Sequence, residues 1–360
     1  MTSSRFFFTN GIVLTTSDAP SVSSFLQSHP GAYTTTRTHN DASCLLFWER
    51  HLRRLADSAR ILCSSSPELF FKCGKSEISL PIQSSIWESV IQSLVNDSLS
   101  KVLPVASSER RSGEELAITA LVSGNLEKLK GNEEVNGDRI SQALDVCVHV
   151  GAYVPPVFGK REHGAHLAVV GRGRDVAAAK YSDWVRIRKP LEKLKPPLAT
   201  ELLLSNDGDQ ILEGCVTNFF AVCRIDNNEA EERFLNDNTN SYSFEVQTAP
   251  LRDGVLPGVI RQLVIEVCLT KGIPLREVAP SWSKHEAWEE AFVTSSLRLM
   301  QHVETIQVPS SWESLESKTW RQVSWEEKQF EEGPGIITRV IQEEIMEKVG
   351  SEGLLVSSLV

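Results

Sequence analysis

The chain reads as a two-domain protein of mixed α/β (α+β) class, and three observations carry that reading. Its 360 residues, 41% of them hydrophobic, suffice for two medium cores. Segments with helical apolar spacing alternate with short strand-like runs along the whole length. A Pro-rich connection over 153–164 interrupts the pattern near its middle. The expected division is an N-terminal domain over 1–152, a linker over 153–164 and a C-terminal domain over 165–360.

The start, MTSSRFFFTNGIVLTT, reads as a strand and a turn. CLLF (44–47) is expected as a buried strand leading into ERHLRRLADSARIL, where Leu52, Leu55, Ala59 and Leu62 recur at helical spacing. A second amphipathic helix is expected over 86–99, a strand over EELAITALVSG and an exposed loop over the polar LEKLKGNEEVNGDRIS. CVHVGAY and AHLAVV read as strands on either side of the linker.

Farther on, ELLLS, QILEG and NFFAVC predict a three-stranded antiparallel run, with Asp207-Gly208 as a hairpin turn signal. RIDNNEAEERFLNDNTNSYSFEVQT is too long and polar for a simple hairpin loop and is expected as an exposed insertion. A helix follows Pro257 and stops at Gly272, EEAFVTSS reads as a strand, and an amphipathic helix follows Gly333-Pro334-Gly335. No internal repeat is visible.

A net charge of −10 argues against a nucleic-acid or anionic-membrane surface, while leaving room for a local basic pocket that takes a phosphate. Small metabolites are the expected ligands. The seven cysteines are scattered, odd in number and never spaced Cys-x-x-Cys, which indicates neither a disulfide frame nor a zinc site and fits a reducing compartment. No apolar stretch reaches the length of a membrane span and the N-terminus lacks the signature of a signal peptide, so a cytoplasmic protein is expected. His149, His163 and His166 are joined by no carboxylate or cysteine ligands, and no metal site is expected. Gly171-Arg-Gly173-Arg lacks the third glycine of a dinucleotide loop, and GKREHGAH lacks phosphate-loop spacing.

Two residues carry a chemical suggestion. Lys180 closes AHLAVVGRGRDVAAAK, and Glu213 opens Glu-Gly-Cys-Val-Thr-Asn on the predicted hairpin. An amine in a low-dielectric site can lose its proton and form a Schiff base with an aldehyde, and a carboxylate can keep a pyridine nitrogen protonated. Together they suit pyridoxal 5′-phosphate. Lys189 and Lys193 compete on composition, but the spacing to Glu213 favours Lys180.

Five ordered blocks extend this: Gly-Ala-Tyr-Thr-Thr-Thr-Arg (31–37), His-Leu-Arg-Arg-Leu-Ala-Asp-Ser-Ala (51–59), Lys180, Glu-Gly-Cys-Val-Thr-Asn (213–218) and Gly-Val-Leu-Pro-Gly-Val-Ile-Arg (254–261). A sixth, Ala-Phe-Val-Thr-Ser-Ser (291–296), completes them. In this order, over about 31–349, the chain resembles the class IV pyridoxal-phosphate enzymes of fold type IV: branched-chain and D-amino-acid aminotransferases and aminodeoxychorismate lyases.

The resemblance implies a role for each matching residue. Lys180 would carry the Schiff base and shuttle a proton, and Glu213 would pair with the ring nitrogen. Arg54 would bind the phosphate, with Arg53 pointing elsewhere, helped by the helix start after Pro257. There Val259 and Ile260 occupy the contact positions; many relatives have Thr at the latter, so only a backbone amide is left. Ser296 matches a phosphate-contacting hydroxyl. Beyond the lysine, where relatives often have Tyr or Asn, Tyr181 is the candidate to bond the ring oxygen.

Tyr33-Thr34-Thr35 resembles the Phe-Thr-Thr of the lyase branch and would meet substrate through Tyr33 and Thr35. Arg37 is open to two roles, a substrate-carboxylate anchor or a structural ion pair. The implied protein is a homodimer with its cofactor between the domains, transferring an amino group from a small amino acid to an α-keto acid. The alternatives are β-elimination from aminodeoxychorismate, which the Thr-Thr segment favours, and a family-fold binding protein without catalysis.

Overall fold

The computed structural model describes residues 5–10, 12–14, 19–71, 83–129, 137–225 and 243–359. The chain forms two compact units: Met1–Pro155 with Ala178–Ile187 and Val349–Val360, and Pro156–Ala177 with Arg188–Lys348. The short segment that carries Lys180 thus folds with the first unit, away in sequence from the rest of it.

In the first unit, β1 (Arg5–Thr9), β2 (Ile12–Leu14), β3 (Ala32–His39), β4 (Cys44–Leu45), β5 (Glu115–Gly124) and β6 (Leu144–Tyr153) join an antiparallel sheet. Its order is β4-β3-β5-β6-β1-β2, with the two-residue strand Leu354–Leu355 paired outside β4. Helix α1 (Val22–Ser28) is capped by Ser21, whose hydroxyl accepts from Ser24 N at 3.1 Å. Helix α2 (Trp48–Ser65) packs on β3 and on α3 (Ser84–Ser108), which in turn covers β6. The predicted stripe Leu52, Leu55, Ala59 and Leu62 is buried, as helical periodicity requires.

Several expectations are corrected here. CLLF is not a four-residue strand: only Cys44–Leu45 pairs, and Phe47 turns left-handed at φ 49° to start α2. The second helix runs well past 86–99 and accommodates Pro104 in its interior. The polar segment read as a loop contains a 3-10 turn, Leu126–Leu129, and a short helix, α4 (Gly137–Gln142), anchored by fully buried Ile140; residues 130–136 of that segment lie outside the described residues. A one-turn helix, α5 (Trp184–Ile187), follows the lysine.

One loop of this unit stands out. Asn40, Asp41 and Ala42 all lie in the left-handed region, at φ 55°, 62° and 61°. Buried Glu115 compensates, accepting from Asp41 N at 3.0 Å, Ala42 N at 3.1 Å and Thr38 Oγ1 at 2.5 Å.

In the second unit, β7 (Ala165–Gly171), β8 (Glu201–Ser205), β9 (Ile211–Gly214), β10 (Asn218–Arg224), β11 (Phe244–Thr248), β12 (Leu275–Glu277), β13 (Trp288–Ser295), β14 (Leu299–Pro309) and β15 (Trp325–Gln329) make the nine strands found among the described residues. The pairing β10-β13-β14-β7-β8-β9 returns to β10 through Asn218 and Glu213, so six strands close on themselves. Such closure removes exposed edges. Leu167, Leu203, Phe219, Val293 and Ile306 are among the buried residues of one core cluster of this unit.

The three-stranded antiparallel run is present as β8-β9-β10, and Gly208 takes the turn at φ 85° while Asp207 Oδ1 accepts from the amides of Asp209 and Gln210. The end of the predicted insertion is strand β11, paired with β10; residues 226–242 lie outside the described residues. Helix α6 (Val259–Lys271) ends at Gly272, left-handed at φ 66°. The C-terminal helix is α7 (Ile336–Glu352). Among the described residues no helix is long and apolar enough to cross a membrane.

Candidate active site

The first unit assembles a cluster around Lys180. The lysine lies in irregular chain after a turn, not at a strand end, and is half-buried. Its backbone is tied twice: Lys180 N donates to Ser58 Oγ at 3.1 Å, and Lys180 O accepts from Tyr33 N at 2.9 Å. Ser182 N to Gly31 O, at 3.0 Å, and the bridge between Ala32 and Tyr181 continue the attachment to the start of β3. The amine itself lies 4.8 Å from the centre of the Tyr33 ring, a cation–π distance.

Helix α2 presents His51, Arg54 and Ser58 on one face, because positions three and four apart align along a helix. Arg54 is buried while Arg53 is exposed, as expected. Arg54 Nη2 donates to Thr34 Oγ1 at 2.8 Å, and Thr34 Oγ1 lies 2.8 Å from His51 Nδ1. Arg54 Nη2 also lies 3.4 Å from His51 Nδ1, and because a guanidinium only donates, Nδ1 is the accepting nitrogen and the imidazole takes its Nε2–H tautomer. Burial, then the charges of Arg54 and Lys180, hold His51 well below the usual imidazole range, so it is neutral.

Strand alternation sorts the remaining candidates. Tyr33, Thr35 and Arg37 share one face of β3, and Thr34 and Thr36 take the other. Thr35 Oγ1 is 3.1 Å from Thr119 Oγ1, directly across on β5. Arg37 is buried and donates to Thr38 O at 3.0 Å; burial lowers its pKa, against the opposing pull of Tyr153 and Glu115.

The second unit assembles a different cluster. Glu213 on β9 is buried and accepts from four donors: Arg174 Nε at 2.9 Å and Nη2 at 2.7 Å on Oε1, Leu256 N at 2.9 Å and Asn218 Nδ2 at 3.3 Å on Oε2. Asn218 Nδ2 also donates to Leu256 O at 2.9 Å. The turn between Glu213 and Asn218 is held by buried Glu201, whose Oε1 accepts from Val216 N and Thr217 Oγ1, at 3.1 and 2.8 Å, while Oε2 takes Arg298 at 2.8 Å. The Cys215 thiol in that turn is pushed up to about 12, first by burial and then by Glu201, which disqualifies it as a nucleophile.

Val259 and Ile260 open α6, with both side chains buried, so these positions offer only backbone amides. The N-cap is Gly258, which supplies no side-chain cap. An uncapped helix start with free N–H groups suits an anion. A Cβ on Gly258 would sit 2.1 Å from Asn218 Oδ1, so the backbone there is pressed onto the Glu213 cluster. Ser296 is half-buried in the turn after β13, and the buried hydroxyl without a hydrogen-bond partner in this segment belongs to Thr294. Arg174 and Glu201 were not anticipated from sequence.

Taken unit by unit, the residue types suit pyridoxal phosphate: the first unit offers a half-buried amine and a buried guanidinium, and the second a buried carboxylate and an uncapped helix start. The amino-transferase class IV family matches residues 31–306. The chain belongs to that family, and it is a pyridoxal-phosphate enzyme of the class. No curated protein sequence matches it significantly.

Among solved structures, a branched-chain amino acid aminotransferase from T.th. complexed with N-(5′-phosphopyridoxyl)-L-glutamate is 15% identical, at TM-score 0.59, over 97% of this chain and 95% of that one. The branched-chain aminotransferase of Thermoproteus uzoniensis with norvaline is 17% identical, at TM-score 0.57, over 99% and 100%. A hypothetical aminotransferase from Mycobacterium tuberculosis in its pyridoxal-phosphate-bound form is 18% identical, at TM-score 0.56, over 96% and 99%. At these identities the likeness is one of fold.

Proposed function

We propose that the protein transfers an amino group from a small amino acid to an α-keto acid, working in the cytoplasm as a homodimer. The observation that carries the reading is Lys180: its backbone is fixed on both sides and its amine faces the Tyr33 ring. A base that moves a proton at the substrate Cα needs that fixed origin. When bound, pyridoxal phosphate receives and returns the amino group and draws electrons from the substrate Cα.

In this proposal Arg54, the α6 amides of Val259 and Ile260, and Ser296 hold the phosphate, and Glu213 faces the ring nitrogen. Tyr33, Thr35 and Arg37, on one face of β3, meet the substrate, with Arg37 as the carboxylate anchor. The phosphopyridoxyl-glutamate and norvaline bound by the two branched-chain relatives support small amino acids as donors.

The test is a panel of amino acids with 2-oxoglutarate or pyruvate as acceptor, run on the wild type and on Lys180→Ala. Keto-acid-dependent turnover that Lys180→Ala abolishes supports the proposal. Release of pyruvate from aminodeoxychorismate with no transfer in the panel replaces it by elimination, and failure to take up pyridoxal phosphate replaces it by a binding role.

A further inference from the structure

We propose that Arg174 is a positioning residue for this reaction: its guanidinium holds Glu213 ionised and occupies Oε1, leaving Oε2 to accept a hydrogen bond from the protonated ring nitrogen of the cofactor. The inference rests on the function proposed above and assigns a residue that the family motif blocks do not contain.

Three observations lead to it. The Arg174 and Glu213 side chains are 5% and 1% exposed, so neither charge has water to solvate it and each depends on the other. Arg174 places both Nε and Nη2 on the same oxygen, Oε1, at 2.9 and 2.7 Å. Both oxygens already accept from N–H donors, Oε1 from Arg174 and Oε2 from Leu256 and Asn218, an arrangement that suits the ionised carboxylate and not the acid.

The two oxygens are unequal. On Oε2 the bond from Asn218 is the longest of the four, at 3.3 Å, and Asn218 Nδ2 keeps a second acceptor in Leu256 O at 2.9 Å. A further N–H can therefore displace Asn218 from Oε2 without orphaning it. Displacing Arg174 from Oε1 would instead break a buried ion pair and two short bonds at once. Without Arg174, burial favours the neutral acid, and Glu213 would offer an O–H where the reaction needs an acceptor.

The experiment follows the Glu213 carboxyl carbon by ¹³C NMR in protein labelled at glutamate Cδ, with Glu213→Gln to assign the signal, and measures pyridoxal phosphate binding by equilibrium dialysis on the same samples. In Arg174→Met the titration midpoint of Glu213 is expected to rise by about one pH unit or more, and cofactor affinity to weaken by about tenfold or more. Should Arg174→Met not fold, Arg174→Gln is neutral and carries the same expectation, whereas Arg174→Lys keeps the charge and should shift less. Midpoints that coincide in wild type and the neutral variants, in protein that binds the cofactor, overturn the role of Arg174 alone. A wild type that binds no pyridoxal phosphate overturns the proposed function whatever the titration shows.

Discussion

Tyr33 touches Lys180 at both ends: its amide donates to the lysine carbonyl at 2.9 Å, and its ring lies 4.8 Å from the lysine amine. The backbone bond survives replacement of the Tyr33 side chain by an aliphatic one, but the ring contact does not. A ring face stabilises an ammonium by about 0.5–2 kcal/mol depending on exposure. Tyr33→Leu should therefore make Lys180 easier to deprotonate. Reductive methylation followed by mass spectrometry would show its half-modification pH moving down, and an unmoved pH would exclude the contact as a tuning element.

Neutral His51 makes stability depend on acid. The folded imidazole titrates well below its ordinary value, while the unfolded one takes up a proton near about pH 6.5. As pH falls below that point the unfolded chain binds the extra proton, and stability drops by up to about 1.4 kcal/mol per unit for this group. Melting temperatures of wild type and His51→Gln between neutral pH and about pH 5 should diverge in slope, the variant being the flatter. Parallel curves would mean that the buried histidine is not the titrating group.

Arg54 gives a prediction that separates phosphate from ring. Loss of charge-assisted bonds worth about 1.5–3 kcal/mol in Arg54→Ala should weaken pyridoxal phosphate binding about tenfold to a hundredfold. Binding of pyridoxal, which lacks the phosphate, should change little. If both ligands weaken equally, Arg54 acts on the unit's structure and not on the anion.

At the start of α6, Gly258→Ala would drive a methyl into Asn218 Oδ1, 2.1 Å from the ideal Cβ position. Asn218 would have to turn, losing its bonds to Leu256 O and Glu213, at an overpacking cost of about 1–3 kcal/mol. A lowered Tm together with weaker cofactor binding is expected. An unchanged Tm would show that the contact relaxes freely.

Breaking the Glu201 network should be harsher. Glu201→Leu leaves Arg298 without its 2.8 Å partner and frees the 216–217 turn, at about 3–5 kcal/mol for a buried pair broken on one side. Differential scanning calorimetry would register a large loss, and a loss within error would mean that the turn holds itself.

How much of this was legible depended on the distance over which each signal acts. Helix α2 announced itself by Leu52, Leu55, Ala59 and Leu62, and the same spacing placed His51, Arg54 and Ser58 on a common face. Helix α6 was bounded by Pro257 and Gly272, both local signals. Arg174 was not legible: Arg172 and Arg174 stand in one GRGR run, yet the first is exposed and the second buried, because the partner Glu213 reaches it only through the fold. Strand β11 was hidden because it adjoins a long polar stretch and gains its order from pairing with β10. Helix α4 was hidden because it buries an isolated isoleucine in a polar segment.

The loop at Asn40, Asp41 and Ala42 divides mutational tolerance between two places far apart in the chain. Its three positive backbone angles suit glycine better than the residues present, so drift toward glycine at 40–42 would relax the turn. The buried part of the enforcement comes from the carboxylate of Glu115, which gathers two loop amides and a hydroxyl at once, while Ser43 N to Asn40 O and Arg110 to Asp41 hold the loop from outside. Variation should therefore accumulate at the visible bend and be purged at the strand residue behind it.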